Sequence, residues 1–261
     1  MKKLIRLVLF VLVLGLVAPV NGQAASRFKD VSTSYTFYDE VLYLSGKGVI
    51  SGYADGTFKP NITVTRAQAA MMLGRALNLS GEPRNTKFKD VTAYVTGSGY
   101  IAAAVEKGII SGYADGTYRP HDSVTRAQMA IFLNRAFTLT KGTENGFSDV
   151  STKMAAYQSI LNVSANGIAS GYADGTYRPN LAVTRGQFSA FMARTLEPSF
   201  RAAVVHFPDK KFEKAIRETL NKPMGNITVA DMNSIRKIEA PGVSGSGILL
   251  KISQGLNMQR I

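Results

Sequence analysis

Gly52-Tyr53-Ala54-Asp55-Gly56-Thr57-Phe58-Lys59-Pro60 returns as Gly112-Tyr113-Ala114-Asp115-Gly116-Thr117-Tyr118-Arg119-Pro120, and again as Gly171 to Pro179 with the same residues as the second copy. The offsets are 60 and 59 residues. Two more blocks keep that register. Phe28-Lys29-Asp30-Val31 recurs as Phe88-Lys89-Asp90-Val91 and Phe147-Ser148-Asp149-Val150. Thr65-Arg66-Ala67-Gln68 recurs as Thr125-Arg126-Ala127-Gln128 and Thr184-Arg185-Gly186-Gln187. Three blocks in one order at one spacing make the body of the chain a threefold internal repeat, and this governs every local reading.

Each repeat reads as helix, loop, helix. Apolar residues at helical spacing, such as Ile101, Ala104 and Val105, predict first helices over roughly 37–46, 99–107 and 156–166. Gly48, Gly108 and Gly167 follow them and suit a left-handed cap. Asp-Gly in the nine-residue block is a turn signal, because glycine takes positive φ without steric cost. Thr65, Thr125 and Thr184, each with glutamine three residues on, read as capping boxes that start the second helices. Met71-Met72-Leu73, Ile131-Phe132-Leu133 and Phe191-Met192 make those helices apolar on most sides, so they should be buried, packed together in the middle with the loops outside. Ser80 to Lys87, Lys141 to Gly146 and Glu197 to Phe200 read as short polar linkers.

The N-terminus has the layout of a secretory signal peptide over residues 1–25. Lys2, Lys3 and Arg6 are followed by a fourteen-residue apolar run from Leu7 to Val20, then by small residues at Gly22, Ala24 and Ala25. The run is shorter than the ~20 residues a membrane span needs. Removing it would lower the formal charge from +13 to +10, so the mature protein stays basic and favours anionic partners. There is no cysteine, hence no disulfide and no thiolate metal site. His121 and His206 fit no ligand spacing, and the Asp-Gly turns lack the spaced oxygens and distal glutamate of a calcium loop. No metal or other cofactor is expected.

The candidate binding residues come in threes. Arg66, Arg126 and Arg185 open the second helices, where free N–H groups and the positive helix end favour an anion and a guanidinium adds a fork matched to carboxylate or phosphate. The alternative is a solvated surface arginine. Asp30, Asp90 and Asp149 either cap the turn that follows, or orient an arginine or accept sugar hydroxyls. Tyr53, Tyr113 and Tyr172 either stack on a sugar face or are half-buried core with the hydroxyl outward. Gly52, Gly112 and Gly171 either let a ligand approach the backbone or serve turn geometry.

The three blocks closely resemble the S-layer homology (SLH) domain family, whose pattern is F-x-D-V, then G-Y-x-D-G-T-F-x-P, then T-R-A-E. The resemblance covers about residues 27–197, as repeats over 26–80, 86–140 and 145–198. It implies a mainly α fold: a pseudo-threefold trimer of repeats with a central three-helix bundle, outer helix-loop arms and grooves between repeats. It also implies a ligand, a secondary cell wall polysaccharide bearing pyruvylated amino sugar. The three arginines would hold the acidic ketal and the three aspartates would line the same grooves. Here the glutamate of the family pattern is glutamine in all three copies, which keeps the capping box and removes a negative charge. Gly186 replaces alanine and should loosen its helix start by up to ~1 kcal/mol. Tyr35 and Phe37 stand near a position where the family often has tryptophan.

The tail differs. Pro208-Asp209 should start a helix with Phe212, Ile216 and Leu220 on one face, Pro223 should end it, and Thr228 should cap a second. Residues 206–238 resemble the N-terminal flank of internalin-like leucine-rich repeat domains, with no L-x-x-L-x-L array after them and a flexible tail over 239–261. About 60 residues outside signal and repeats offer no nucleophile–base pair, so an enzyme is not expected. A lattice-forming subunit would need a large self-assembling region. Export argues against nucleic acid, and no membrane contact is expected once the signal is cleaved. The reading is a secreted anchor on the wall of a Gram-positive-type bacterium; the alternative is the anchoring part of a larger surface enzyme, S-layer or adhesion protein.

Overall fold

The computed structural model describes residues 28–140, 142–143, 146–201, 205, 207, 209–222, 227, 231–232 and 235. The signal-peptide reading, Pro223, Thr228 and the 239–261 tail therefore lie outside the described residues.

Two helices form in each repeat. They are α1 (Tyr38–Gly46) and α2 (Arg66–Ala76), α3 (Ser98–Glu106) and α4 (Arg126–Phe137), and α5 (Tyr157–Ala165) and α6 (Arg185–Leu196). A 3-10 turn, Pro198–Phe200, follows α6. Gly48, Gly108 and Gly167 end the first helices at φ of 69°, 70° and 68°. The capping boxes form in all three repeats. Thr65 N–H donates to Gln68 Oε1 at 3.0 Å while Gln68 N–H donates back to Thr65 Oγ1 at 3.2 Å. Among the described residues there is no strand, only isolated antiparallel bridges: Thr63 with Thr184, Thr65 with Ser123, and Thr125 with Ala182.

Those bridges join different repeats, and so does most of the packing. α3 packs on α2, α5 on α4, and α1 on α6. The close partner of each first helix is thus the second helix of the neighbouring repeat, with repeat 1 returning to repeat 3. Three fully buried valines trace the same circuit. Val64 N–H donates to Val183 O, Val183 N–H to Val124 O, and Val124 N–H to Val64 O, each at 2.9 Å. One apolar core runs through all three repeats, taking Leu73, Leu133 and Met192 from the second helices and Leu44, Ile101 and Ile160 from the first.

The linkers and odd residues fit this packing. Gly186 leaves room for the Tyr35 hydroxyl, which a Cβ there would approach to 1.9 Å. The glycine therefore seats a ring from another repeat, a benefit that sets off its cost in helix propensity. Phe200 lies against Tyr43, with ring centroids 5.1 Å apart.

In the tail, Asp209 caps α7 (Lys210–Thr219) by accepting from Lys211 and Phe212 N–H. Phe212, Ile216 and Leu220 do share a face, joining Phe207, Ile227 and Met232 in a separate small core. Lys222 pairs with Asp231 at 2.7 Å.

Candidate functional site

The three arginines sit where each second helix begins, and all are buried: Arg66 is 3 % exposed, Arg126 4 % and Arg185 7 %. Their guanidinium groups cross into the next repeat. Arg66 Nε donates to Tyr118 O at 2.7 Å and Nη2 to Ser111 O at 2.9 Å. Arg126 does the same to Tyr177 O at 2.7 Å and Ser170 O at 2.8 Å. Arg185 closes the circle on Phe58 O at 2.8 Å and Ser51 O at 2.9 Å. Neither a solvated surface arginine nor one devoted wholly to a ligand describes this geometry; each arginine first bolts two repeats together.

The helix ends offer no vacant donors, contrary to the expectation from sequence. The first-turn N–H groups are already used, so they are not free for an anion. Arg66 N–H donates to Asp122 O at 2.8 Å, Ala67 N–H to Pro120 O at 2.9 Å, and Gln68 N–H to Thr65 Oγ1. The other two repeats match, with Leu181 O and Pro179 O, then Ile62 O and Pro60 O, as acceptors. A chain reading of one repeat cannot see acceptors supplied by another.

What remains is charge. None of the three arginines is ion-paired with a carboxylate among the described residues. Their partners are neutral carbonyls and ring faces. Arg66 lies 4.4 Å from the Tyr118 ring centroid and 5.0 Å from Tyr113. Arg126 lies 4.5 Å from Tyr177 and 5.1 Å from Tyr172. Arg185 lies 4.4 Å from Phe58 and 5.1 Å from Tyr53. Burial pulls the Arg185 pKa down, and the Tyr53 and Asp30 charges only partly offset it. Burial likewise pushes the Tyr177 phenol up to about 12. Among the described residues Nη1 of each arginine has no hydrogen-bond partner, and it is not fully buried.

Each of these tyrosines has a second cation over its ring. Lys59 Nζ sits 4.3 Å from the Tyr53 centroid, Arg119 4.0 Å from Tyr113 and Arg178 3.9 Å from Tyr172. Each ring is half-buried and has two positive groups near it. These outer cations were not singled out from sequence. Their spacing four residues after Asp55, Asp115 and Asp174, with which they pair at 3.4, 3.0 and 2.9 Å, was the available signal.

The aspartates neither cap the following turn nor touch an arginine guanidinium. Asp30 accepts Phe58 N–H and Lys59 N–H, both at 2.7 Å, 28 and 29 residues away. Asp90 takes Tyr118 and Arg119 N–H, and Asp149 takes Tyr177 and Arg178 N–H. This holds Lys59, Arg119 and Arg178 at φ of 57–58°, a left-handed conformation that non-glycine residues seldom adopt. The aspartates thus shape the loop whose carbonyls receive the arginines. Gly52, Gly112 and Gly171 are needed for close approach, and the group approaching is protein. A Cβ on them would come within 2.6, 2.2 and 2.4 Å of Cε1 of Phe28, Phe88 and Phe147.

A family model described as S-layer homology domain matches residues 27–70, 87–130 and 146–189, about half the chain. The chain belongs to the S-layer homology domain family. Among curated relatives, the surface-layer 125 kDa protein of Lysinibacillus sphaericus is 35 % identical over 191 residues, 71 % of this chain and 16 % of that protein. A cellulosome-anchoring protein of Acetivibrio thermocellus is 32 % identical, covering 61 % of this chain and 38 % of its own length. An amylopullulanase of Thermoanaerobacterium thermosulfurigenes is 31 % identical over 66 % of this chain and 10 % of its own length. The SLH chain spans less than two fifths of these relatives. The family and its surface-layer and anchoring relatives indicate a location at the cell surface or cell wall, and the same repeats also occur in a much longer enzyme.

Proposed function

We propose that this SLH protein is exported and held non-covalently to the wall through an anionic secondary cell wall polysaccharide, with pyruvylated amino sugar as the recognised unit. The support is a buried cation, repeated three times, with no bonded carboxylate. Burying an unpaired charge is expensive, and carbonyl and ring contacts offset only part of that cost. An acidic sugar reaching the solvent-accessible Nη1 edge would complete each site by a charge-assisted hydrogen bond. Tyr53, Tyr113 and Tyr172 stand beside those guanidinium groups, where a sugar held by the arginine would meet the ring edge or its hydroxyl. Gly52, Gly112 and Gly171, and Asp30, Asp90 and Asp149, act from behind by fixing the loop. The ring of repeat-to-repeat bonds supports a pseudo-threefold trimer built around its second helices. On this reading the protein acts by tethering and not by catalysis; the anchoring part of a longer surface protein is the second reading, favoured by relatives that extend far beyond the shared region. The internalin-like reading of 206–238 rests on the resemblance alone.

Sedimentation of the purified protein with wall sacculi tests this. Co-sedimentation should be lost when the secondary polymer is stripped with hydrofluoric acid, and should weaken as salt rises. Equal binding to stripped sacculi would refute it.

A further inference from the structure

The three arginine grooves are built to one plan but are not equally open. In two of them a phenylalanine from the neighbouring second helix leans over the guanidinium. Phe132 lies 5.9 Å from Arg66 and Phe191 5.5 Å from Arg126. At the third, the corresponding residue is Met72, and a cleft of about 150 Å³ opens between Arg185, Tyr53, Gln68 and the two methionines Met71 and Met72. Arg75, one turn further along α2, lines the same cleft.

Arg75 differs from its counterparts. Arg194 is committed to protein, donating toward the Glu40 carboxylate at 3.4 Å and Ile168 O at 3.5 Å. Arg135 is exposed. Arg75 is half-buried, and its guanidinium, 6.0 Å from the Tyr100 ring centroid, has no hydrogen bond or ion pair among the described residues. No carboxylate lines the cleft, so two arginines, Arg185 and Arg75, border one small space together with Met71, Met72 and Tyr53. The polar tie differs as well. Gln128 Nε2 donates to the Tyr113 hydroxyl at 3.2 Å in one closed groove, whereas the Tyr53 hydroxyl has no partner among the described residues.

We infer that the groove between repeats 3 and 1 is the dominant glycan site, and that Arg75 is a second, specificity-determining cation there, shared with Arg185 on one carboxylate. The inference rests on the acidic-glycan reading above and refines it. The cleft is smaller than the ~300 Å³ and more of a whole-ligand pocket, so it takes the acidic edge of one sugar. Thioethers under that edge suit a carboxylate with an apolar group beside it. A pyruvyl ketal, with its methyl next to its carboxylate, has that combination.

The test uses the full chain and the methyl glycoside of a pyruvylated N-acetylated amino sugar, followed by side-chain NMR of arginine Nε–H groups. Arg185 and Arg75 should move together and first as glycoside is added. Arg75→Gln should weaken glycoside binding by about tenfold or more, the fold-change for ~1.4 kcal/mol, with a nearly unchanged melting temperature, because among the described residues the Arg75 guanidinium has no hydrogen bond or ion pair and only a distant ring contact, 6.0 Å from the Tyr100 centroid. Met72→Phe, which copies the closed grooves, should weaken binding similarly, and Arg135→Gln should not. If wild type binds and Arg75→Gln binds as tightly, the inference fails while the wall-anchoring reading stands. If wild type binds sacculi but not the glycoside, the ketal assignment fails. If it binds neither, the anchoring reading itself fails.

Discussion

Replacing Arg126 with alanine removes two hydrogen bonds that cross from repeat 2 to repeat 3, at 2.7 Å to Tyr177 O and 2.8 Å to Ser170 O. Each carbonyl left without its donor costs about 1–3 kcal/mol, and the lost stack on Tyr177 and Tyr172 adds about 0.5–2 kcal/mol. Releasing a buried cation returns part of this. A net loss of about 3 kcal/mol is expected, which in a domain of this size lowers the melting temperature by about 6–12 °C. Thermal unfolding of the full chain, followed by far-ultraviolet circular dichroism, reads it directly. Arg126→Lys keeps the charge without the planar fork and should recover only part of the loss. A melting temperature within about 2 °C of wild type would refute the structural role argued for this arginine. The result bears on function, because weaker wall binding by Arg126→Ala has to be measured below that variant's own unfolding range.

Three further outcomes follow from the loops. Asp90→Ala strips the acceptor from Tyr118 and Arg119 N–H and should cost about 2 kcal/mol by urea titration. Gly112→Ala puts a methyl 2.2 Å from Phe88 Cε1 and 2.5 Å from Thr117 O, so overpacking of about 1–3 kcal/mol or more should appear in the same assay. The Asp174 carboxyl is held down at about 2, first by the Thr176 hydroxyl, then by Arg178 and the Thr176 N–H. A depressed carboxyl stabilises the fold above its unfolded pKa of roughly 3.9 and loses that contribution as pH falls through about 2. The stability gap between wild type and Asp174→Asn should therefore close over that acid range, and a gap constant from neutral pH to pH 2 would contradict the assignment.

The legible parts of this fold are the local ones. Thr65 and Gln68 are three residues apart, and Gly48 ends a helix by its own φ, so the sequence carries both signals in a few residues. The illegible parts all involve a distant partner. The carboxylate of Asp30 finds N–H groups 28 and 29 residues on, and Arg185 finds carbonyls 127 and 134 residues back. Periodicity reveals that α1 has an apolar face but not that α6 covers it. The arginines were singled out because they repeat, and they do lie at the seams. Their N–H groups were misread as vacant because the occupying carbonyls belong to another repeat. Arg75 went unremarked because its distinction lies in what fails to pair with it.

A crystal structure of the protein with a fragment of its pyruvylated wall polymer tests the whole account most directly. The sugar carboxylate should lie within about 3 Å of an arginine guanidinium at an inter-repeat groove, that of Arg185 before the others. Clear density for the sugar on a surface remote from Arg66, Arg126 and Arg185 would contradict it.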